Sequence, residues 1–152
     1  MRPLYIFDLD GTLALIDHRR HLVADKKNQR WYEFYRACVD DKPNKPVLRL
    51  LFDLSLCGDI IVFSGRSNLV EEETWIWLFG KAEIDTVDTI KQLKMRIHGD
   101  NTPDEQLKKR WYDELSKQDK DRLVCVFDDR QKVVDMWRSL GLTCLQVAPG
   151  DF

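Results

Sequence analysis

Asp8-Leu9-Asp10-Gly11-Thr12 follows directly on the apolar run Leu4-Tyr5-Ile6-Phe7. The run is short, β-prone and bounded by polar residues, the pattern of a buried strand. Two carboxylates therefore emerge at the carboxyl end of a strand, where open α/β sheets bind their ligands. Like charges this close cannot both stay ionised without a cation, or else one pKa rises. Mg²⁺ suits the pair, because it is usually held by one or two carboxylates together with substrate phosphate oxygens. Gly11 lets the chain turn sharply, and the Thr12 hydroxyl can fix the turn. Taken alone, the pentapeptide could also be a solvated turn after a strand.

Three further groups weigh against that bland reading. Ile60-Ile61-Val62-Phe63-Ser64-Gly65-Arg66 is a second apolar run ending in a small hydroxyl residue, a glycine and a cation. Ser64 can donate to a phosphoryl oxygen, and Arg66 offers the planar fork that matches phosphate. Leu123-Val124-Cys125-Val126-Phe127-Asp128-Asp129-Arg130 is a third run, ended by paired carboxylates. Such a pair also serves as an ordinary helix N-cap. Lys108 stands alone, twenty residues before Asp128, and gains meaning only from its place in the series.

The elements that must position these groups alternate strand and helix, which predicts a parallel sheet with helices on both faces. Pro46 can open a helix in which Val47, Leu50, Leu51 and Leu54 recur at helical spacing before Gly58. A second helix is expected over 69–80, and a weaker strand over 90–95. Thr102-Pro103-Asp104-Glu105 has the marks of a helix start, with Thr102 as N-cap and Pro103 first in the helix. That helix would carry Lys108 one turn in. Val133, Val134, Trp137 and Leu140 give the last helix an apolar face closed by Gly141, and 143–147 is a final strand. Between 17 and 36, six cations stand against three acids, interleaved with Trp31, Tyr32, Phe34 and Tyr35. Such a mixture grips a nucleotide end by charge and stacking, or it is an amphipathic helix with its aromatics on the core.

Composition bounds the rest. The chain has 152 residues, 43% of them hydrophobic and 33% charged, which suits one soluble domain with one sizeable core. No apolar stretch approaches the roughly 18 residues of a membrane span. Met1-Arg2-Pro3 runs straight into the first strand, so no signal peptide is expected. The four cysteines lack the spacing of a zinc or redox site and point to buried thiols in a reducing cytoplasm. The net charge of −2 argues against wide wrapping of duplex DNA, though not against a small site that grips one terminus.

The order Asp-x-Asp, Ser, Lys, Asp-Asp, with strands beneath three of the four groups, resembles the haloacid dehalogenase superfamily of phosphotransferases. The resemblance extends to the carboxyl-terminal phosphatase domain of bacteriophage polynucleotide kinase-phosphatases. It is carried by 8–14, Arg19, Ser64-Gly65-Arg66, Arg96, Gly99-Asp100, Asp104, Lys108, Asp128-Asp129-Arg130, Val133-Val134, Met136-Trp137-Arg138, Gly141, Gln146-Val147-Ala148 and Gly150-Asp151-Phe152. It runs from about Tyr5 to Phe152 and is patchy between about 17 and 57. No Gly-x-x-x-x-Gly-Lys-Ser/Thr loop occurs, so the kinase half of that family is not expected here.

The resemblance implies an α/β fold, a doubly wound, Rossmann-like parallel sheet in one domain over 1–152, with a small substrate-facing insert at about 15–45. It implies a Mg²⁺-dependent phosphomonoesterase that removes 3′-phosphates from nucleic-acid ends or nucleoside 3′-phosphates. A nucleotidase or general small-molecule phosphatase of the same superfamily is the alternative. Asp8 is the implied nucleophile and Asp10 the acid and base, with Ser64 and Lys108 on the phosphoryl oxygens. Asp8, Asp128, Asp129 and the main-chain carbonyl of Asp10 are the implied metal site. Thr12, Arg19, Arg66, Arg96 and Asp104 are the implied substrate contacts, and a separate kinase or ligase is a conceivable partner. One departure stands out. Thr102-Pro103 occupies a place where the family carries Arg-Lys, so two cations near the expected site are missing.

Overall fold

The computed structural model describes residues 1–151; Phe152, the last residue of the resemblance, lies outside them. The strands are β1 Leu4–Phe7, β2 Ala14–Leu15, β3 Lys42–Pro43, β4 Asp59–Ser67, β5 Gln92–Arg96, β6 Leu123–Asp128 and β7 Cys144–Gln146. The helices are α1 His21–Ala24, α2 Trp31–Arg36, α3 Lys45–Ser55, α4 Glu71–Phe79, α5 Asp104–Asp113, α6 Lys117–Arg122 and α7 Gln131–Ser139.

Five strands form one parallel sheet in the order β5-β4-β1-β6-β7. From β1 the chain builds outward through β4 and β5, then returns to the other side of β1 to add β6 and β7. Such a reversal leaves a crevice at the carboxyl ends of the two strands flanking it, here β1 and β6. Both faces of the sheet are covered, which is why its strands are nearly continuous apolar runs. On one face Phe7, Val62 and Phe127 pack with Leu48 and Leu51 of α3 and Trp77 and Leu78 of α4. On the other, Ile6, Phe63 and Val126 pack with Leu107 and Trp111 of α5 and Val133, Val134 and Trp137 of α7. The Phe7 and Phe127 rings stack at 4.3 Å, tying β1 to β6 beneath the crevice.

The expected helices and strands are present, with one correction. The helix carrying Lys108 starts at Asp104, with Pro103 rather than Thr102 as its cap. Thr102 is already engaged by Asp100: its amide donates to Asp100 Oδ1 at 2.9 Å and its hydroxyl at 2.6 Å. The segment after β1 forms a separate two-stranded antiparallel ribbon, with Ala14 opposite Pro43 and Leu15 opposite Lys42. The ribbon holds the chain between residues 16 and 41, including α1 and α2.

Candidate active site

Register alone brings the two acidic motifs together. Phe7 lies opposite Phe127, so Asp8 and Asp128 leave their strands at the same level, and the Asp8 amide donates to the Phe127 carbonyl at 2.9 Å. Phe7 is also paired with Val62, which brings Ser64, three residues before the end of β4, beside the Asp8 loop. The site is therefore assembled by three adjacent strands.

Asp8, Asp128 and Asp129 form a buried cluster in which one carboxylate oxygen from each lies within 4.8 Å of the others. Lys108 closes it from α5, with Nζ 2.7 Å from Asp8 Oδ1 and 2.8 Å from Asp128 Oδ2. Thr12 Oγ1 donates to the other Asp8 oxygen at 3.2 Å. The loop is shaped for this cluster: Gly11 has φ +86°, and a Cβ there would strike the Asp129 carboxylate.

The charges remain unbalanced despite Lys108. Burial, opposed by Lys108 but reinforced by Asp128 and Asp129, holds the Asp8 carboxyl well above the usual range. Burial and the neighbouring Asp128 push Asp129 up to about 6. Lys108 loses by burial but gains more from Asp128 and Asp8, and stays firmly protonated. Asp129 Oδ2 is buried with no hydrogen-bond partner among the described residues and faces an Arg20 guanidinium nitrogen only at 3.9 Å. Three crowded carboxylates with an orphaned oxygen match the donor set that a hard divalent cation takes.

Asp10 points into a different environment. Its Oδ1 accepts from Arg19 at 2.8 Å and from Arg66 Nε at 3.2 Å, with a second, shorter bond from Arg66 Nη2. Burial would raise its pKa, but Arg66 and Arg19 more than offset this and hold the carboxyl at about 2. Behind them lies Asp41, fully buried, which accepts from Arg19 Nε and Nη2 at 2.7 Å each and from Arg66 at 3.1 Å. His18 Nε2 approaches the same carboxylate at 2.7 Å. Arg66 also donates to Thr74 Oγ1 at 3.0 Å, and Arg19 lies over the Phe34 ring at 4.3 Å.

Both arginines are thus buried clamps on Asp10. The Arg19 side chain has no exposed surface.

Ser64 is fully buried, and its Oγ accepts from the Arg66 amide at 3.2 Å. Arg96 and Asp104, implied as substrate contacts, brace the loops around Ser64. Arg96 donates to the Gly65 carbonyl at 2.9 Å, to Asp100 O at 2.8 Å and to Thr102 O at 2.6 Å, and it pairs with Asp104. Asp104 also accepts from Arg130 at 2.7 Å. A Cβ on Gly65 would strike Asp104, which explains the glycine after Ser64. Nothing in the sequence marks Asp41, His18 or Thr74 as part of the site; Asp41 sits in a polar stretch, the usual place of a solvated acid.

A doubly wound parallel sheet with an Asp-x-Asp loop, a serine, a lysine and an acidic pair at adjacent strand ends defines a haloacid dehalogenase-type phosphatase, a hydrolase class. Within it, residues 2–152 match the family model of the polynucleotide kinase PNKP phosphatase domain, and the chain belongs to that family. It is 33% identical over 135 residues to a protein of Autographa californica nuclear polyhedrosis virus named as a bifunctional polynucleotide kinase/RNA ligase, covering 88% of this chain and 17% of that protein. A chain of the Pnkp1/Rnl/Hen1 RNA repair complex superposes with a TM-score of 0.79 at 32% identity, over 99% of this chain and 44% of that one. A haloacid dehalogenase-like hydrolase from Streptococcus pneumoniae shares the fold, with a TM-score of 0.61 at 11% identity, over 95% of this chain and 84% of that one. The chain spans less than half the length of the polynucleotide kinase relatives.

Proposed function

We propose that the chain is a Mg²⁺-dependent phosphomonoesterase that removes 3′-phosphates from nucleic-acid ends through an aspartyl-phosphate on Asp8. The observation that carries this reading is the buried triad Asp8, Asp128 and Asp129 around Lys108, in a chain of the polynucleotide kinase phosphatase-domain family. Mg²⁺ held by the three carboxylates, and by the main-chain carbonyl of Asp10, would offset negative charge on the transferring phosphoryl group.

The protein's own residues supply the rest. Asp8, oriented by Thr12, attacks phosphorus and breaks the ester bond, as carboxylate nucleophiles do. Ser64 and Lys108 hold the equatorial phosphoryl oxygens, where charge gathers in the transition state. Asp10 protonates the departing sugar oxygen and then takes a proton from the water that cleaves the intermediate. In the arrangement seen, Arg19 and Arg66 keep Asp10 ionised, the state needed for the second step. For the first step it must gain a proton from solvent, which becomes easier as the two guanidiniums pair with an incoming phosphate. Arg19 and Arg66 therefore both orient substrate and set the protonation of Asp10. Arg96 and Asp104 position the Ser64 turn rather than touch the substrate directly.

The domain is read as one unit over 1–152, with 15–45 as the substrate-facing insert. The viral relative is named for a kinase and an RNA ligase, which favours such partners here, on the same or a separate polypeptide.

The test compares hydrolysis of 3′- and 5′-phosphorylated oligonucleotides and mononucleotides, in Mg²⁺ and in excess chelator. Mg²⁺-dependent cleavage of 3′-phosphates is expected. Faster hydrolysis of 5′-mononucleotides than of any 3′-phosphorylated substrate would favour a nucleotidase, and full activity in chelator would remove the metal from the mechanism.

A further inference from the structure

The aromatic segment beside the buried centre divides into two pairs. Phe34 is buried under the Arg19 guanidinium, and Tyr35 is packed against Cys38, Val70 and Met95. Trp31 and Tyr32, on the same helix α2, remain 44% and 61% exposed. Trp31 is nonetheless held in place. Its ring meets Phe34 edge-on at 5.5 Å and Tyr35 at 5.8 Å, and its indole N–H donates to Gln29 Oε1 at 3.0 Å.

A large exposed aromatic fixed on three sides loses little freedom when a second ring stacks on it. It also lies close to the chemistry: Asp10 touches Arg19 at 2.8 Å, Arg19 covers the Phe34 ring at 4.3 Å, and that ring supports Trp31. The segment is positive by count, although Arg19, Arg30 and Arg36 are held by carboxylates. Residues 17–36 carry six cations against three acids, in a chain whose net charge is −2. Lys26 and Lys27 are exposed in the loop that leads to α2.

We propose that Trp31, backed by Phe34 and Tyr35, is a stacking platform for a base at the end of a single strand, with Lys26 and Lys27 against its phosphates. This rests on the reading of the buried centre as a nucleic-acid-end phosphatase and adds the element of substrate beyond the phosphate that is recognised. Any base presents a π-face, so the platform confers a preference for strands with bases over abasic ends and little preference for sequence.

The test measures kcat/KM on 3′-phosphorylated oligonucleotides whose last two nucleotides either carry bases or are abasic, with acetyl phosphate as a base-free substrate. In the wild-type protein the base-bearing strand should be preferred by about tenfold or more, within the range stacking supplies. Trp31→Ala should collapse that ratio towards one, and Trp31→Phe should keep most of it. Lys26→Gln with Lys27→Gln should flatten the log–log salt dependence by about 0.7 per lost phosphate contact. A wild-type enzyme that cleaves both strands while Trp31→Ala and Trp31→Phe keep the full ratio would overturn the platform alone. A wild-type enzyme that cleaves acetyl phosphate but no nucleic-acid end would overturn the reading of the centre and the platform with it.

Discussion

Replacing Asp41 by Asn removes one charge from the middle of the buried cluster while keeping the side chain's shape. The wild-type carboxylate is fully buried and receives three guanidinium hydrogen bonds, two from Arg19 and one from Arg66. Breaking a buried ion pair from one side costs about 3–5 kcal/mol, because the partner charge is left uncompensated. Here Asp10 remains to balance one of the two guanidiniums, and the Asn carbonyl still accepts one bond, so the lower end, about 3 kcal/mol, applies. At roughly 2–4 °C per kcal/mol for a domain of this size, the melting temperature should fall by about 6–12 °C. Activity should fall too, because both arginines would then crowd Asp10 and hold it more firmly ionised. Thermal denaturation followed by circular dichroism, with kcat on an aryl phosphate, reads both effects. Asp41→Glu, which keeps the charge, should recover part of each. A melting temperature within about 2 °C of wild type, with unchanged kcat, would refute the reasoning that Asp41 anchors the arginine clamp.

Two other consequences follow from the charges. Asp129 has its folded pKa raised to about 6, so its contribution to stability is present below about pH 4 and is lost as pH rises through 6. In excess chelator the wild type should therefore lose stability relative to Asp129→Asn over that window, measured by urea titration; a gain would contradict the assignment. Lys108→Met removes the ammonium that touches both Asp8 and Asp128, and kcat should drop by about 10²–10³, as for loss of one donor to a transition-state oxyanion. Steady-state kinetics within threefold of wild type would place the phosphoryl group away from Lys108.

Legibility in the sequence followed how locally each residue is fixed. Asp8 and Asp128 were readable because each directly ends an apolar run, and parallel register then aligns them. Lys108 was readable because a helix start lies just before it, although Asp100 captures Thr102 and shifts that start by a residue. The arginines were recognisable as cations near the site, but not as clamps on Asp10, since that depends on Asp41. Asp41 reaches Arg19 only because the β2–β3 ribbon closes the intervening chain, a pairing of two residues per strand with no strong periodicity. The contacts of Arg96 are illegible for another reason: the backbone carbonyls that it binds are brought together only by the folded loops.

In the proposed mechanism Asp8 carries the phosphoryl group of a nucleic-acid 3′ end. An oligonucleotide bearing a radiolabelled 3′-phosphate, mixed with the enzyme and Mg²⁺ and acid-quenched during turnover, tests it directly. The label should be found on the peptide containing Asp8, and should be missing from Asp8→Asn, which should also be inactive. Label on another residue, or sustained turnover by the Asn variant, would contradict it.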